Sequence, residues 1–254
     1  MDLGLQNRVV LVTGASSGIG KATAVAFARE GARVAITYKL NRAGAEETIS
    51  RIQTMGSEGF AVPMDLEDHA GIENAVAQVV EHWGHIDVLV GNAVRWANIW
   101  GRPLHQIDLG EVAAILRGNL EGTFCLLRAV LPSMVERKWG RIVLVSSGLA
   151  EHGMPPNGSP VYGSAKAGLH GLARNLAWEL GPAGIFINVV AAGFTMTERN
   201  LANFPPQMRD SVAAQTPTRR LSVPEDVASM VVFLGSAANT NTSSEIVHEG
   251  QATA

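Results

Sequence analysis

Short apolar runs alternate with longer amphipathic stretches along this 254-residue chain. An apolar run of roughly four to eight residues bounded by turn residues predicts a buried strand, and apolar positions at helical spacing predict a helix packed on one face. The predicted strands are Val9–Val12, Arg33–Thr37, Gly59–Pro63, Ile86–Val90, Arg141–Val145, Ile185–Val190 and Glu245–His248. The predicted helices are Ile19–Glu30, Ala43–Met55, His69–Trp83, Leu109–Arg137, Gly163–Leu180 and Pro224–Ala237.

This alternation predicts an α/β fold with a doubly wound, parallel sheet. Strand–helix–strand units connect parallel strands through right-handed crossovers, so helices should cover both faces of the sheet. In such folds the ligand crevice lies at the carboxyl ends of the strands. The chain has no Pro/Ser-rich linker, low-complexity segment or internal repeat. We therefore predict a single domain spanning residues 1–254.

Two segments show neither helical nor strand periodicity. Val94–Gln106 follows the fourth predicted strand, and Ala191–Pro217 follows the sixth. Both leave the carboxyl end of a strand, where long connections in compact domains are usually functional. We interpret both as substrate-binding loops, 191–217 in particular; the alternative is that each is an ordinary surface connection.

Composition limits the partners of the chain. The formal net charge is −3, which gives no basic surface for nucleic acid or an anionic membrane. The single cysteine, Cys125, cannot form an internal disulfide, and no signal-like segment precedes the first strand. No apolar run reaches the roughly 18 residues that a membrane span needs. We predict a soluble, cytoplasmic protein without nucleic-acid or membrane partners, and we predict no metal site.

A glycine-rich turn connects the first strand to the first helix. Gly14 permits the turn, Gly18 allows the backbone to approach a pyrophosphate, and Gly20 allows close packing of the helix. The N–H groups that open the helix at Ile19 would face the anion, assisted by the helix dipole. The turn therefore predicts a dinucleotide site, although a plain tight turn is the structural alternative.

The end of the second strand bears on the form of the dinucleotide. NAD enzymes usually place an acid there, about 20 residues after the glycines, to bind the ribose hydroxyls. Here Tyr38 occupies the position, followed by Lys39 and Arg42, and no carboxylate is available to repel a 2′-phosphate. This favours NADP(H), unless the two cations are only solvated. Asp65 could accept a hydrogen bond from adenine or cap the next helix.

A phenol and an ammonium group lie one helical turn apart at Tyr162 and Lys166. Carbonyl reduction needs a proton donor beside the substrate oxygen, and free tyrosine has a pKa of about 10. The charge of Lys166 should lower the pKa of Tyr162 towards the working range. Lys166 could also bond the nicotinamide ribose. We predict Tyr162 as the catalytic acid.

Two further polar positions complete the predicted catalytic group. Ser147 ends the fifth strand and could polarise the carbonyl oxygen, but Ser146 competes, since strand register decides which serine faces the crevice. Asn119 lies inside a predicted helix, an unfavourable place for asparagine. It could hold a water that links Lys166 to solvent, or it could kink the helix or be satisfied in the core.

Together these residues make the chain resemble the short-chain dehydrogenase/reductase family over nearly its whole length. The motifs that carry the resemblance are Thr13–Gly20, Asp65, Asn92-Ala93, Asn119, Ser147, Tyr162, Lys166 and Asn188…Gly193-Phe194…Thr197. The resemblance implies a Rossmann-type sheet of seven strands, an Asn–Ser–Tyr–Lys tetrad, and a homotetramer or homodimer built on the two long helices. The NADP(H)-binding residues expected on this basis are Gly14, Ser16, Ser17, Gly18, Ile19, Gly20, Tyr38, Lys39, Arg42, Asp65, Leu66, Asn92, Ala93, Tyr162, Lys166, Gly193, Thr195 and Thr197.

Departures from the family pattern bear on the substrate. Val94 replaces a glycine near the cofactor, Ala192 replaces the usual proline, and the Asp-Gly-Gly near the end is absent. In lacking that proline, the chain resembles ketoreductases that tailor polycyclic aromatic polyketides, notably those of angucycline pathways. The residues predicted to bind substrate are Val94, Trp96, Trp100, Ser147, Met154, Ala192, Phe194 and Met196. The aromatic and methionine residues could stack on a flat substrate, or they could serve as loop packing or subunit contacts.

We therefore predict an NADPH-dependent ketoreductase that acts on a bulky, polycyclic aromatic polyketide of the angucyclinone type. An alternative within the family is an NADP-dependent alcohol, steroid or sugar dehydrogenase, or a 3-oxoacyl reductase. A nucleotide-binding regulatory protein on the same fold is the non-enzymatic alternative. The last is disfavoured because Tyr162, Lys166 and the glycines are all retained.

Overall fold

The computed structural model describes residues 1–96, 99, 101–153 and 159–250. Its strands are β1 (Val9–Val12), β2 (Arg33–Tyr38), β3 (Gly59–Pro63), β4 (Val88–Gly91), β5 (Gly140–Ser147), β6 (Ile185–Ala192) and β7 (Ile246–Glu249). Its α-helices are α1 (Gly18–Arg29), α2 (Arg42–Thr54), α3 (His69–Trp83), α4 (Leu109–Leu116), α5 (Gly122–Arg137), α6 (Pro160–Leu180), α7 (Glu198–Asn203), α8 (Pro206–Ala213) and α9 (Pro224–Leu234).

The seven strands form one parallel sheet in the order β3-β2-β1-β4-β5-β6-β7. The strand order reverses between β1 and β4, so the carboxyl ends of these two strands border the crevice in which ligands of such sheets bind. The predicted doubly wound α/β fold is confirmed.

Alternate residues of the central strands enter two separate cores. Val9 and Leu11 of β1 pack in the core formed with α3, α5 and α6. Val10 and Val12 pack in the other core, formed with α1, α2 and α9. Burial of both strand faces explains why these strands read as continuous apolar runs in the sequence.

The bounds of several elements shift by one to three residues from the sequence prediction, and two segments differ in the kind of structure they form. The predicted helix Leu109–Arg137 is interrupted by a π-helical turn at Arg117–Glu121. The segment Ala191–Pro217, predicted to be irregular, contains α7 and α8. The hydroxyl of Thr197 accepts a hydrogen bond from the Asn200 N–H and so caps α7, and both helices are too short to show clear periodicity. Within the residues that the structure describes, no helix is both long and apolar enough to cross a membrane.

Candidate active site

The glycine-rich turn between β1 and α1 leaves no space for side chains. Gly14 has a φ of +64°, and a Cβ there would lie 2.8 Å from Cα of Ala93. A Cβ on Gly20 would lie 2.6 Å from the carbonyl oxygen of Gly14. The exposed Ser17 precedes the helix and makes no side-chain hydrogen bond to its first turn. Bare backbone at a helix N-terminus is the arrangement that a dinucleotide pyrophosphate requires, so these residues fit such a cofactor.

Two side chains hold this turn against β4. Asn92 donates from Nδ2 to the carbonyl oxygens of Thr13 (2.9 Å) and Gly14 (3.1 Å). The Thr13 hydroxyl accepts from the N–H groups of Asn92 and Ala93, each at 3.0 Å. Asn92 and Ala93, predicted as cofactor residues, therefore hold the glycine-rich turn in place through hydrogen bonds. The role of Thr13 was not predicted from the sequence.

An acidic side chain from α7 reaches the N-terminus of α1. Glu198 accepts a hydrogen bond from the Gly18 N–H (3.0 Å), and its other oxygen lies 2.8 Å from Nζ of Lys21. Burial opposes its ionisation, but the hydrogen bond from Lys21 and the backbone N–H groups hold the pKa of Glu198 below its usual value. A carboxylate of the protein thus lies at a position that attracts anions. Sequence analysis did not predict this contact.

We expect the substitution Glu198→Gln to increase the affinity for NADPH by about twofold to tenfold, because it removes a negative charge beside the expected pyrophosphate position. Titration of nicotinamide fluorescence measures the dissociation constant. Glu225→Gln, which removes an exposed acid from the first turn of α9, serves as the matched control and should leave the constant unchanged. Weaker NADPH binding by Glu198→Gln would show that the carboxylate assists the cofactor instead.

The cations that follow β2 have acidic partners. Nζ of Lys39 lies 2.7 Å from Asp65 and 3.6 Å from Glu67, and Nε of Arg42 lies 2.8 Å from Glu46. The hydrogen bond to Asp65 raises the pKa of Lys39. The expectation that no carboxylate is available here is therefore wrong, because the end of β3 brings Asp65 alongside β2.

Asp65 makes a local turn and does not cap a helix. Its Oδ1 accepts from the Glu67 N–H at 3.1 Å, and the residue at the N-cap position of α3 is Asp68. The capping alternative is therefore wrong, and its role towards adenine stays a prediction. The neighbouring Leu66 is buried.

Tyr162 and Lys166 lie on the first turns of α6, as predicted. Lys166 is buried, and its Nζ donates to the carbonyl oxygen of Val145 (2.8 Å) and lies 5.8 Å from the Tyr162 ring centroid. Burial lowers the pKa of Lys166 to about 8. Burial raises the pKa of Tyr162, and the charge that opposes this rise belongs to Arg199. The predicted lowering of the Tyr162 pKa by Lys166 is therefore not seen.

The Tyr162 ring is part of a layered stack. The ring of Trp96, which is partly exposed, lies parallel to it with centroids 5.2 Å apart and an interplanar angle of 13°. The guanidinium carbon of Arg199 lies 4.8 Å from the Trp96 ring centroid. Stacked rings and a cation over an indole face are each favourable contacts. Arg199 on α7 was not predicted from the sequence.

The two serines at the end of β5 face opposite ways. Ser146 is buried, and its hydroxyl lies 2.8 Å from Nε2 of His170. Ser147 is partly exposed, and its hydroxyl accepts from the Leu149 N–H at 3.3 Å, where it caps the short turn Gly148–Ala150. Ser146 is thus bonded within the core, which leaves Ser147 as the serine at the lip of the crevice.

A carboxylate beyond this turn lies between two histidines. Glu151 lies 3.4 Å from Nδ1 of the buried His170 and 2.6 Å from Nε2 of His248 on β7. Burial lowers the pKa of His170. The three side chains connect the turn after Ser147 to α6 and to β7, at the position where the usual Asp-Gly-Gly is missing.

Asn119 lies in the π-helical turn with its amide fully engaged. Its Oδ1 accepts from the Arg95 N–H (3.1 Å), and its Nδ2 donates to the carbonyl oxygens of Arg95 (2.9 Å) and Ile115 (3.0 Å). The buried amide therefore lies at a helix distortion and connects the loop after β4 to the helix. This agrees with the alternatives of a helix kink or an amide satisfied in the core. A role in holding water stays a prediction.

A family model described as enoyl-(acyl carrier protein) reductase matches residues 14–250. The chain belongs to the short-chain dehydrogenase/reductase family. It is 36% identical over 232 residues to (2S)-[(R)-hydroxy(phenyl)methyl]succinyl-CoA dehydrogenase subunit BbsD of Thauera aromatica, with 91% of this chain and 90% of that protein covered. This short-chain dehydrogenase/reductase is therefore an oxidoreductase that acts on CH–OH or C=O groups of small molecules.

Two solved structures of the family closely match the fold. One is 7α-hydroxysteroid dehydrogenase complexed with NADH and 7-oxo glycochenodeoxycholic acid, with a TM-score of 0.91, 28% identity, and coverage of 98% of this chain and 95% of that chain. The other is a short-chain dehydrogenase from Burkholderia cenocepacia J2315 in complex with NADP, with a TM-score of 0.89, 31% identity, and coverage of 98% and 99%. The two neighbours thus hold different nicotinamide dinucleotides.

The remaining predicted residues of this short-chain dehydrogenase/reductase lie around the same crevice. Ala192 is buried and is the register partner of both Ser147 and Glu249. The Phe194 ring packs edge-on against Phe204, with centroids 4.9 Å apart. Trp100 and Met154 lie outside the described residues. The other predicted residues on the loops after β1, β4 and β6 are at least partly buried, namely Ser16, Ile19, Val94, Gly193, Thr195, Met196 and Thr197.

Proposed function

We propose that the chain is an NADPH-dependent ketoreductase that reduces a carbonyl group of a bulky, polycyclic aromatic polyketide of the angucyclinone type to a secondary alcohol. The observation that carries the proposal is the aromatic surface beside Tyr162, where Trp96 stacks on the tyrosine ring. An aromatic surface next to the proton donor favours a flat substrate over a flexible acyl chain. The loop 191–217 contributes Phe194 and Met196 to this substrate site.

Each residue of the tetrad has a role in the proposed reaction. A nicotinamide dinucleotide, when bound, supplies the hydride. Tyr162 donates the proton to the substrate oxygen, and Ser147 donates a hydrogen bond that polarises the carbonyl. Lys166 bonds the ribose and restores the proton on Tyr162. Asn119 fixes the loop after β4 through its bonds to Arg95, and its role in holding a water between Lys166 and solvent stays a prediction.

The proposed preference for NADP(H) rests on the end of β2. The residue there is Tyr38, and it is followed by the exposed cations Lys39 and Arg42. A 2′-phosphate would compete with Asp65 and Glu67 for Lys39, because an exposed ion pair contributes little and exchanges readily. The Burkholderia cenocepacia relative was solved with NADP, whereas the hydroxysteroid dehydrogenase was solved with NADH.

We expect Lys39→Gln to weaken NADPH binding by about tenfold, the loss typical of one hydrogen bond to a charged group, and to leave NADH binding nearly unchanged. Fluorescence titration with both dinucleotides gives the two dissociation constants. Lys138→Gln, at the exposed end of α5, is the matched control and should change neither. Equal loss for both dinucleotides would contradict the assignment of Lys39 to the 2′-phosphate.

The compounds that two relatives bind or act on support a ring-bearing substrate. The dehydrogenase of Thauera aromatica acts on a phenyl-substituted succinyl-CoA, and the hydroxysteroid dehydrogenase was complexed with 7-oxo glycochenodeoxycholic acid. The test is turnover of NADPH with polycyclic aromatic ketones, aliphatic 3-oxoacyl thioesters and sugars at equal concentration. Preference for the ring ketones supports the proposal, and preference for either other class contradicts it.

A second candidate is a dehydrogenase or 3-oxoacyl reductase of the same family. The relatives that favour it are the L-rhamnose 1-dehydrogenase of Sphingomonas sp. and the 3-oxoacyl-[acyl-carrier-protein] reductases. Oxidation of a sugar or steroid alcohol with NADP, at a rate above reduction of ring ketones, would establish it. Binding of NADPH without turnover of any of these substrate classes would indicate a regulatory protein.

We propose a cytoplasmic homotetramer or homodimer assembled through α5 and α6. Large apolar side chains are exposed on both helices: Trp178 is 87% exposed and Phe124 is 48% exposed. Exposed apolar surface of this kind is typical of an interface between subunits. Light scattering measures the number of subunits.

A further inference from the structure

A positive charge lies beside the proposed proton donor. The guanidinium carbon of Arg199 lies 4.8 Å from the Trp96 ring centroid, and the Trp96 ring stacks on that of Tyr162. A substrate whose carbonyl reaches the Tyr162 hydroxyl would therefore lie close to the indole and the guanidinium.

The backbone of α7 fixes this position. Thr197 caps the helix, and Nδ2 of Asn200 donates to the carbonyl oxygen of Thr195 at 2.8 Å. The neighbouring Glu198 is bonded to Gly18 and Lys21 on α1. The first turn of α7 is thus fixed by its cap and by α1, and this turn positions Arg199 beside Trp96.

The charge of Arg199 has no acidic partner within the part of the chain that the structure describes. No described carboxylate lies within 4.0 Å of it, whereas nearby Arg95 and Arg102 pair with Glu67 and Glu111. Partial burial lowers the pKa of Arg199, and the nearby Tyr162 opposes this. A guanidinium that stacks on an indole still presents N–H groups along its edge, where a carboxylate can bind with two hydrogen bonds.

We propose that Arg199 is a substrate-binding residue and that the substrate is a planar ring ketone with a carboxylate remote from the reacting carbonyl. The carboxylate pairs with Arg199, the ring system lies against Trp96, and the carbonyl reaches Tyr162. This inference rests on the proposed reductase function and adds the charge of the substrate to it.

The test compares one acid with its neutral ester. The probes are 6-acetyl-2-naphthoate and its methyl ester, which share the ring and the ketone. We expect the unmodified protein to favour the acid, and Arg199→Gln to reduce kcat/KM for the acid by about tenfold to hundredfold, the range for a lost charged hydrogen bond, with little change for the ester. Arg199→Lys should recover part of the loss, since it keeps the charge without the planar donor pair. Arg29→Gln, at the far end of α1, should change neither substrate.

Binding without turnover separates this inference from the proposed function. The probe is the alcohol 6-(1-hydroxyethyl)-2-naphthoate, whose naphthalene anisotropy reports binding to the NADP-loaded protein. If neither ketone is reduced but the alcohol binds through Arg199, the reductase function fails and the carboxylate site stands. If Arg199→Gln weakens acid and ester equally, or does not weaken binding of the alcohol, the inference is overturned. Reduced NADPH affinity in Arg199→Gln would overturn it as well, because the residue would then serve the cofactor.

Discussion

Replacing Tyr162 by phenylalanine is expected to lower kcat by about a hundredfold to ten-thousandfold, the usual contribution of a positioned general acid. The substitution removes the hydroxyl and keeps the ring, so the stack with Trp96 at 5.2 Å should persist. Because packing is retained, the free energy of unfolding and the affinity for NADPH should change little. The loss should therefore appear in turnover alone.

Single-turnover oxidation of NADPH in a stopped-flow instrument measures this loss directly. Ser164→Ala, an exposed position on the same turn of α6, is the control for damage to the helix and should keep normal turnover. A Tyr162→Phe enzyme with kcat within tenfold of the unmodified enzyme would remove Tyr162 from the mechanism.

Replacing Lys166 by methionine is expected to remove most activity and to stabilise the fold. Lys166 is buried, and its pKa falls from 10.5 to about 8. At pH 7 the buried charge therefore lowers the free energy of unfolding. A pKa shift of this size corresponds to a loss of about 3 kcal/mol. Methionine has similar length without the charge, so the free energy of unfolding should rise by up to this amount, less the hydrogen bond to Val145.

The pH dependence gives the sign of this effect. Because the folded-state pKa of Lys166 is lowered, the folded protein releases this proton at lower pH than the unfolded chain does. The stability of the unmodified protein should therefore rise as the pH increases from about 8 to 10.5. The advantage of Lys166→Met should be full below pH 8 and should shrink across this interval.

Denaturant unfolding at several pH values measures the difference. Lys138→Met, which changes an exposed lysine at the end of α5, should show no such pH-dependent gain. A Lys166→Met protein that is less stable than the unmodified protein at pH 7 would contradict the interpretation.

Local patterns in the sequence were sufficient for most of the fold. The runs Val9–Val12 and Gly59–Pro63 and the helix His69–Trp83 have the predicted bounds, because burial on both strand faces and helical spacing leave direct traces in the sequence. The π-helical turn at Arg117–Glu121 was not predictable, since it adds one residue to a helix without interrupting its apolar pattern.

The candidate site was predictable only where its contacts are local. Tyr162 and Lys166 are four residues apart on one helix, so their proximity follows from helical geometry. The contact between Glu198 and Gly18 joins residues 180 positions apart, and the contact between Arg199 and Trp96 joins α7 to the distant loop after β4. Such contacts depend on how the segments that follow different strands pack against each other across the crevice. The spacing of residues within one segment does not predict them.

The carboxylate of Glu151, held between His170 and His248, has a consequence for how the enzyme matures. β7 follows every other strand of the sheet in the chain, and during synthesis it leaves the ribosome after them. Strands β1 to β4, which carry the glycine-rich turn and Asn92 at their ends, can then pair early, whereas the turn beside Ser147 gains its last anchor only when β7 docks. Catalytic competence would accordingly be the final property that a nascent chain acquires.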